Sequence, residues 1–128
     1  MPRGKKKLRL GDLQLRIMRV LWDRGPSGVG EVSSALGGAE LAYTTVATML
    51  RKMEERGLVR HRSEGRRFIY EAAVRDADVT RSMADDLVER LFAGSLADAV
   101  SHLLEGREVS DVELDRLEQL IRRRKRKP

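Results

Sequence analysis

This chain of 128 residues contains no cysteine, which excludes disulfides and thiolate metal sites together. No apolar run approaches the roughly 18 residues that a membrane-spanning helix needs, so no membrane insertion is expected. The charged start MPRGKKKLRL leads into no apolar stretch, so a secretory signal is not expected, and a cytoplasmic protein follows. Histidine is scarce as well. His61 and His102 lie in different segments without ligand spacing, so no metal site and no cofactor are expected. There is no Ser/His/Asp set, no Gly-rich phosphate loop and no HExxH pattern. The adjacent Asp85 and Asp86 point about 100° apart on a helix, so they do not form a carboxylate pair. Catalytic residues are therefore expected to be absent. Aromatic side chains make up only 4% of the chain, and Trp22 and Phe68 are expected in the core rather than as base-stacking platforms.

Charge is what the chain has in plenty. Charged residues are 36% and apolar ones 41%, enough for a globular protein with a modest core. The net charge of +6 favours a polyanionic partner. The charge is also segregated. Residues 1–75 hold 16 Lys/Arg against 8 Asp/Glu, residues 76–121 hold 4 against 12, and residues 122–128 hold 6 basic side chains and no acid. A basic first part and an acidic second part suggest two tasks on one chain.

The periodicity predicts a helix over 8–25, with Asp12 as N-cap and Leu13, Ile17, Val20 and Leu21 inward, stopped by Gly25-Pro26. A second helix spans about 28–36, and Leu41-Ala42 has the character of a short strand. The third helix, 43–56, is the most informative. Val46, Leu50 and Met53 lie on one side, and Thr44, Thr45, Thr48, Arg51 and Lys52 on the other. Short hydroxyls and bases beside a greasy face suit the DNA major groove. Thr44 is also a candidate N-cap. A hairpin follows, 58–63 and 66–72 about a turn at Glu64-Gly65, with Arg60, Arg62, Arg66 and Arg67 placed for phosphate or minor-groove contact. The order of three helices and a basic hairpin is that of a winged helix-turn-helix. The basic residues 5–7 are a candidate DNA arm.

The chain divides near residues 74–78, giving a DNA-binding domain over 1–75 and a helical domain over 76–128. Gly94 and Gly106 separate three amphipathic helices in the second part; Ser95 caps the middle one, and Ser110-x-x-Glu113 is a capping box for the last. Met83, Leu87, Leu91, Val100, Leu103, Leu114, Leu117 and Ile121 are its candidate dimerisation residues, because three short helices cannot bury their own apolar faces. The basic run 122–127 has the composition of a disordered solubilising tail. The fold class expected is mainly α with a small β-hairpin: an N-terminal winged helix-turn-helix and a C-terminal three-helix dimerisation domain.

Five stretches, LGDLQLRIMRVLWDRG, LAYTTVATMLRKMEERGLV, RRFIYEA, VERLFAGSLADAVSHLL and VSDVELDRLEQLIR, make the chain resemble the penicillinase and methicillin-resistance repressors, the BlaI/MecI family. The resemblance implies a homodimeric repressor on a double-stranded DNA dyad operator, controlling β-lactam-resistance or related genes. It also implies relief by proteolysis, triggered by a membrane sensor metalloprotease. Two positions depart from the family pattern. Ala47, expected to face the major groove with Thr44, Thr45 and Thr48 as a DNA-binding residue, stands where well-studied members carry a base-reading arginine, which implies a different operator. Ser101-His102 stands at the position of the family's cleaved Asn-Phe bond. The alternatives from other classes are a winged-helix protein-interaction adaptor and a non-specific nucleoid-type DNA-binding protein. Salt-dependent DNA binding would exclude the first, and a sharp sequence preference the second.

Overall fold

The computed structural model describes residues 8–37 and 42–127. Its elements run α1 (Asp12–Arg24), β1 (Ser27–Gly28), α2 (Val29–Ala35), α3 (Tyr43–Glu55), β2 (Val59–Glu64), β3 (Arg67–Ala72), α4 (Asp76–Phe92), α5 (Leu96–Glu105) and α6 (Asp111–Arg126). They fall into two compact units, 1–86 and 87–128.

In the first unit, α1 turns Ile17, Met18 and Leu21 inward, the i, i+1, i+4 stripe expected of one helix face. The helix begins later than the sequence suggests. Gly11 is the N-cap, its N–H donating to the Gln14 side chain at 3.1 Å, and Asp12 is the first helical residue, where its charge still favours the helix dipole. Trp22 is half-buried against the core, and its indole N–H donates to the Val74 carbonyl at 3.0 Å. The end of α3 is a Schellman motif. Gly57 adopts φ 78°, its N–H reaches the Glu54 carbonyl at 2.9 Å, and the Leu58 N–H reaches Met53 at 3.0 Å. Leu58 and Met53, both buried, supply the apolar contact that accompanies this motif.

The sheet has the order β1-β3-β2 and is antiparallel throughout. Its third strand is Ser27–Gly28, paired with Tyr70 and Ile69. The strand expected at Leu41-Ala42 is not the one that joins: Ala42 is the N-cap of α3, and Leu41 lies outside the described residues. Glu64 pairs with Arg67, so the hairpin loop is Gly65-Arg66, one residue later than expected, with Gly65 at φ 62°. A positive φ at the first loop position is what a two-residue loop requires, and glycine adopts it without strain.

Val79 is fully buried in the core of this unit, and Met83 packs against it. The first turns of α4 therefore belong with the winged helix, and the compact unit reaches Asp86 rather than ending near residue 75. Met83, expected at a dimer interface, is half-buried and packs against this core.

The second unit holds the last turns of α4 with α5 and α6. Ala93 and Gly94, at φ 50° and 84°, turn the chain. Ser95 and Ser110 cap α5 and α6 as the sequence predicts, each accepting from the N–H three residues on at 3.1 Å. The basic run expected as a disordered tail is helical to Arg126, where basic side chains favour the negative end of the helix dipole. Among the described residues, no helix is long and apolar enough to cross a membrane.

Candidate nucleic-acid interface

Helix α3 sorts its residues as the periodicity predicts. Val46, Leu50 and Met53 are each 0% exposed, while Thr44, Thr45, Thr48, Arg51 and Lys52 all face solvent. The exposed set forms one continuous strip, because positions three and four apart are neighbours on a helix surface. Arg51 and Lys52 make no ion pair with a described residue, so their charge is available to an anion.

Two expectations on this helix change. Thr44 is not the cap; Ala42 is, and Thr44 is the second helical residue. Ala47 does not stand with the threonines. It is half-buried and packs against the core, because it lies one residue after Val46 and three before Leu50, on the flank of the buried stripe. Tyr43, which the sequence reading passed over, is 58% exposed at the start of the helix.

The wing's arginines are not equivalent. Arg60 pairs with Glu71 across the strands at 3.0 Å, and Arg62 with Glu64 at 2.9 Å. Arg67 reaches Glu31 on α2. Glu31 also accepts from the Gly28 N–H at 3.1 Å, and that backbone bond, then the Arg67 guanidinium, holds its carboxyl below the usual carboxylate range. Arg67 therefore ties the sheet to α2. Arg66, at the loop, makes no ion pair among the described residues. Of the four candidates it alone presents an uncompensated charge. Residues 5–7, the candidate arm, lie outside the described residues. The adjoining chain is fixed, since the Leu8 N–H donates to Ser82 at 2.8 Å and Arg9 pairs with Asp86 at 3.3 Å.

Strand alternation puts Val59, His61, Ser63, Phe68, Tyr70 and Ala72 on one face and Arg60, Arg62, Glu64, Arg67, Ile69 and Glu71 on the other. The first face carries Val59 and Tyr70 into the core. Toward the tip it presents Phe68, which is 50% exposed and so not the core residue expected. His61 lies over Phe68 with ring centroids 4.4 Å apart, and its Nδ1 is 2.7 Å from Glu54 of α3. Composition gave no sign of this contact, because it joins residues whose proximity depends on the Schellman turn between them.

In the second unit, Leu87, Leu91, Val100, Leu103, Leu114 and Ile121 are exposed in the single chain, and Leu117 is half-exposed. Ser101 and His102 both lie within α5 and are exposed; His102 sits 5.8 Å from the Phe92 ring. Among the described residues, no group of three or more His, Asp or Glu side chains could hold a metal ion.

Known proteins are similar to this chain in sequence and fold. A family model described as penicillinase repressor matches residues 10–123. The penicillinase repressor of Bacillus licheniformis is 27% identical over 122 residues, 94% of this chain and 95% of that protein. The transcriptional regulator BlaI of Mycobacterium tuberculosis is 37% identical over 103 residues, 78% of this chain and 75% of that protein. The solution structure of the DNA-binding domain of the repressor BlaI aligns with a TM-score of 0.50 at 29% identity, covering 59% of this chain and 93% of that one. With the winged-helix order of elements, and a family match running from the start of α1 almost to the end of α6, the chain belongs to the penicillinase repressor family.

Proposed function

We propose that this DNA-binding transcriptional repressor acts as a homodimer on a dyad operator, with one α3 in the major groove of each half-site. The observation that carries the reading is the exposed strip Thr44, Thr45, Thr48, Arg51 and Lys52, backed by three side chains with no exposure. Thr45 and Thr48 are short enough to reach base edges, and Arg51 and Lys52 to hold phosphates. Ala47, half-buried, offers at most part of a methyl group to a thymine. Arg66 at the wing tip meets the backbone beside the groove. Arg60, Arg62 and Arg67 reach DNA only by sharing or exchanging the carboxylates they already hold.

The second unit supplies the dimer. Leu87, Leu91, Val100, Leu103, Leu114, Leu117 and Ile121 lack cover in a single chain, and a second copy is the partner that would bury them. Two half-sites held by one body make the second contact intramolecular, so anything that separates the copies releases DNA without touching α3. A cut at Ser101-His102 would remove most of the apolar side of α5 and α6 and act in that way. It requires local opening, because both residues lie inside a helix. A membrane sensor metalloprotease would deliver that cut, and the genes controlled would be those for β-lactam resistance or a related response. On this reading the chain works by occlusion in the cytoplasm and catalyses nothing.

The test is footprinting on the chain's own promoter, with Thr48→Ala and Arg51→Ala beside the wild type. Protection of a symmetric site that both substitutions weaken is the expected result. Equal binding to any duplex would favour a nucleoid role, and no binding an adaptor.

A further inference from the structure

Glu54 is out of place on a DNA-facing helix. It lies two and three residues from Lys52 and Arg51, and a carboxylate there opposes the attraction of those cations for phosphate. Its surroundings give it another task. Both carboxylate oxygens lie against His61 Nδ1, at 2.7 and 2.8 Å, and one also accepts the His61 backbone N–H at 3.3 Å. One side chain on the last turn of α3 thus holds both the ring and the main chain of β2. The ring is backed on one side by Phe68 at 4.4 Å and Tyr70 at 5.4 Å, which support it against Glu54. Beyond His61 the hairpin loses the core: every residue from His61 to Phe68 is exposed. A free two-stranded ribbon is marginally stable in water and cannot set its own direction.

We propose that His61 and Glu54 are positioning residues that lock the wing to the recognition helix, so that α3 and Arg66 engage one operator half-site as a single rigid unit. This rests on the reading that the wing tip meets the DNA backbone. Neither residue needs to touch DNA. The ordering of the tip is completed in the free protein, so binding does not bear that entropy cost.

The experiment is a double-mutant cycle on the full chain. Operator affinity is measured across salt concentrations for wild type, Arg66→Ala, His61→Phe and the double variant. His61→Phe keeps an aromatic ring packed there and removes only the ring's bonds to Glu54, leaving the main-chain N–H bond in place; urea unfolding confirms that each variant folds. His61→Ala, which removes the ring as well, repeats the cycle if phenylalanine perturbs packing. In wild type, Arg66→Ala should weaken binding about tenfold and flatten the slope of log K against log salt by about 0.9. In the His61→Phe background both effects should shrink to nearly nothing. His61→Asn, whose amide N–H occupies the place of Nδ1–H, should restore most of them. If Arg66→Ala changes nothing in wild type, the wing reading fails and the lock fails with it. If Arg66→Ala has its full effect in both backgrounds, the wing reading stands and the lock is overturned.

Discussion

Fifteen of the sixteen buried apolar side chains among the described residues lie in the first unit; in the second, only Ala99 is buried. The large exposed apolar residues divide the other way, with Tyr43 and Phe68 in the first unit and ten in the second, from Leu87 to Ile121. Both units are built from amphipathic helices, so propensity is not the difference. The first has a sheet and the start of α4 to close over α1, α2 and α3. The second has three helix segments in about forty residues, a length at which a single core rarely suffices. One unit finishes its core within the chain, and the other leaves apolar surface that a second copy can cover.

The largest test of that contrast is Leu50→Ala. Leu50 is 0% exposed at the centre of the first core, and its truncation should lower unfolding free energy by about 2–5 kcal/mol. Urea titration measures this; a loss below about 1 kcal/mol would mean that the first unit is not closed. Leu103→Asp probes the other side. It should leave the folding of the winged helix unchanged and shift sedimentation from dimer to monomer at micromolar concentration. A wild-type chain already monomeric there would break the comparison, because the second unit would then tolerate its exposed face.

Smaller effects sharpen the comparison inside the first unit. Arg62→Ala removes a charge that Glu64 already compensates, so it should change the salt dependence of operator binding less than Arg66→Ala does. Equal slopes, measured by titration at several salt concentrations, would show that both arginines meet phosphates. The smallest effect expected concerns pH. The Gly28 N–H first, then Arg67, lowers the Glu31 carboxyl below its ordinary value. The stability that Glu31 contributes is therefore present above the ordinary carboxylate range and lost as pH falls through the lowered folded value. Against Glu31→Gln, the wild type should be the more stable at neutral pH, and the gap should close in acid. A gap independent of pH would show that the charge of Glu31 is not what matters.

Much of this was legible in residue order because it is local. The two faces of α3 follow from helical periodicity, the Gly57 turn from glycine before Leu58, and the caps at Ser95 and Ser110 from their position before apolar runs. Other features had no local signal. A two-residue strand such as Ser27–Gly28 has no pattern of its own and exists because β3 offers it a free edge. Ala47 is exposed or buried according to how far the core extends around α3, which four residues of spacing leave open. The four wing arginines look alike in sequence. Three are distinguished from Arg66 only by carboxylates brought from β2, β3 and α2.

By itself the sequence determined the helix faces, the hairpin, the segregation of basic and acidic halves, and the absence of thiol chemistry. Each of these depends on residues within a few turns of one another or on composition alone. The tertiary structure decided which charges are free, that α4 begins inside the first core, and that Glu54 meets His61 across the turn. Those outcomes need side chains from separate elements to arrive at one place, and the packing that brings them there is a property of the whole core.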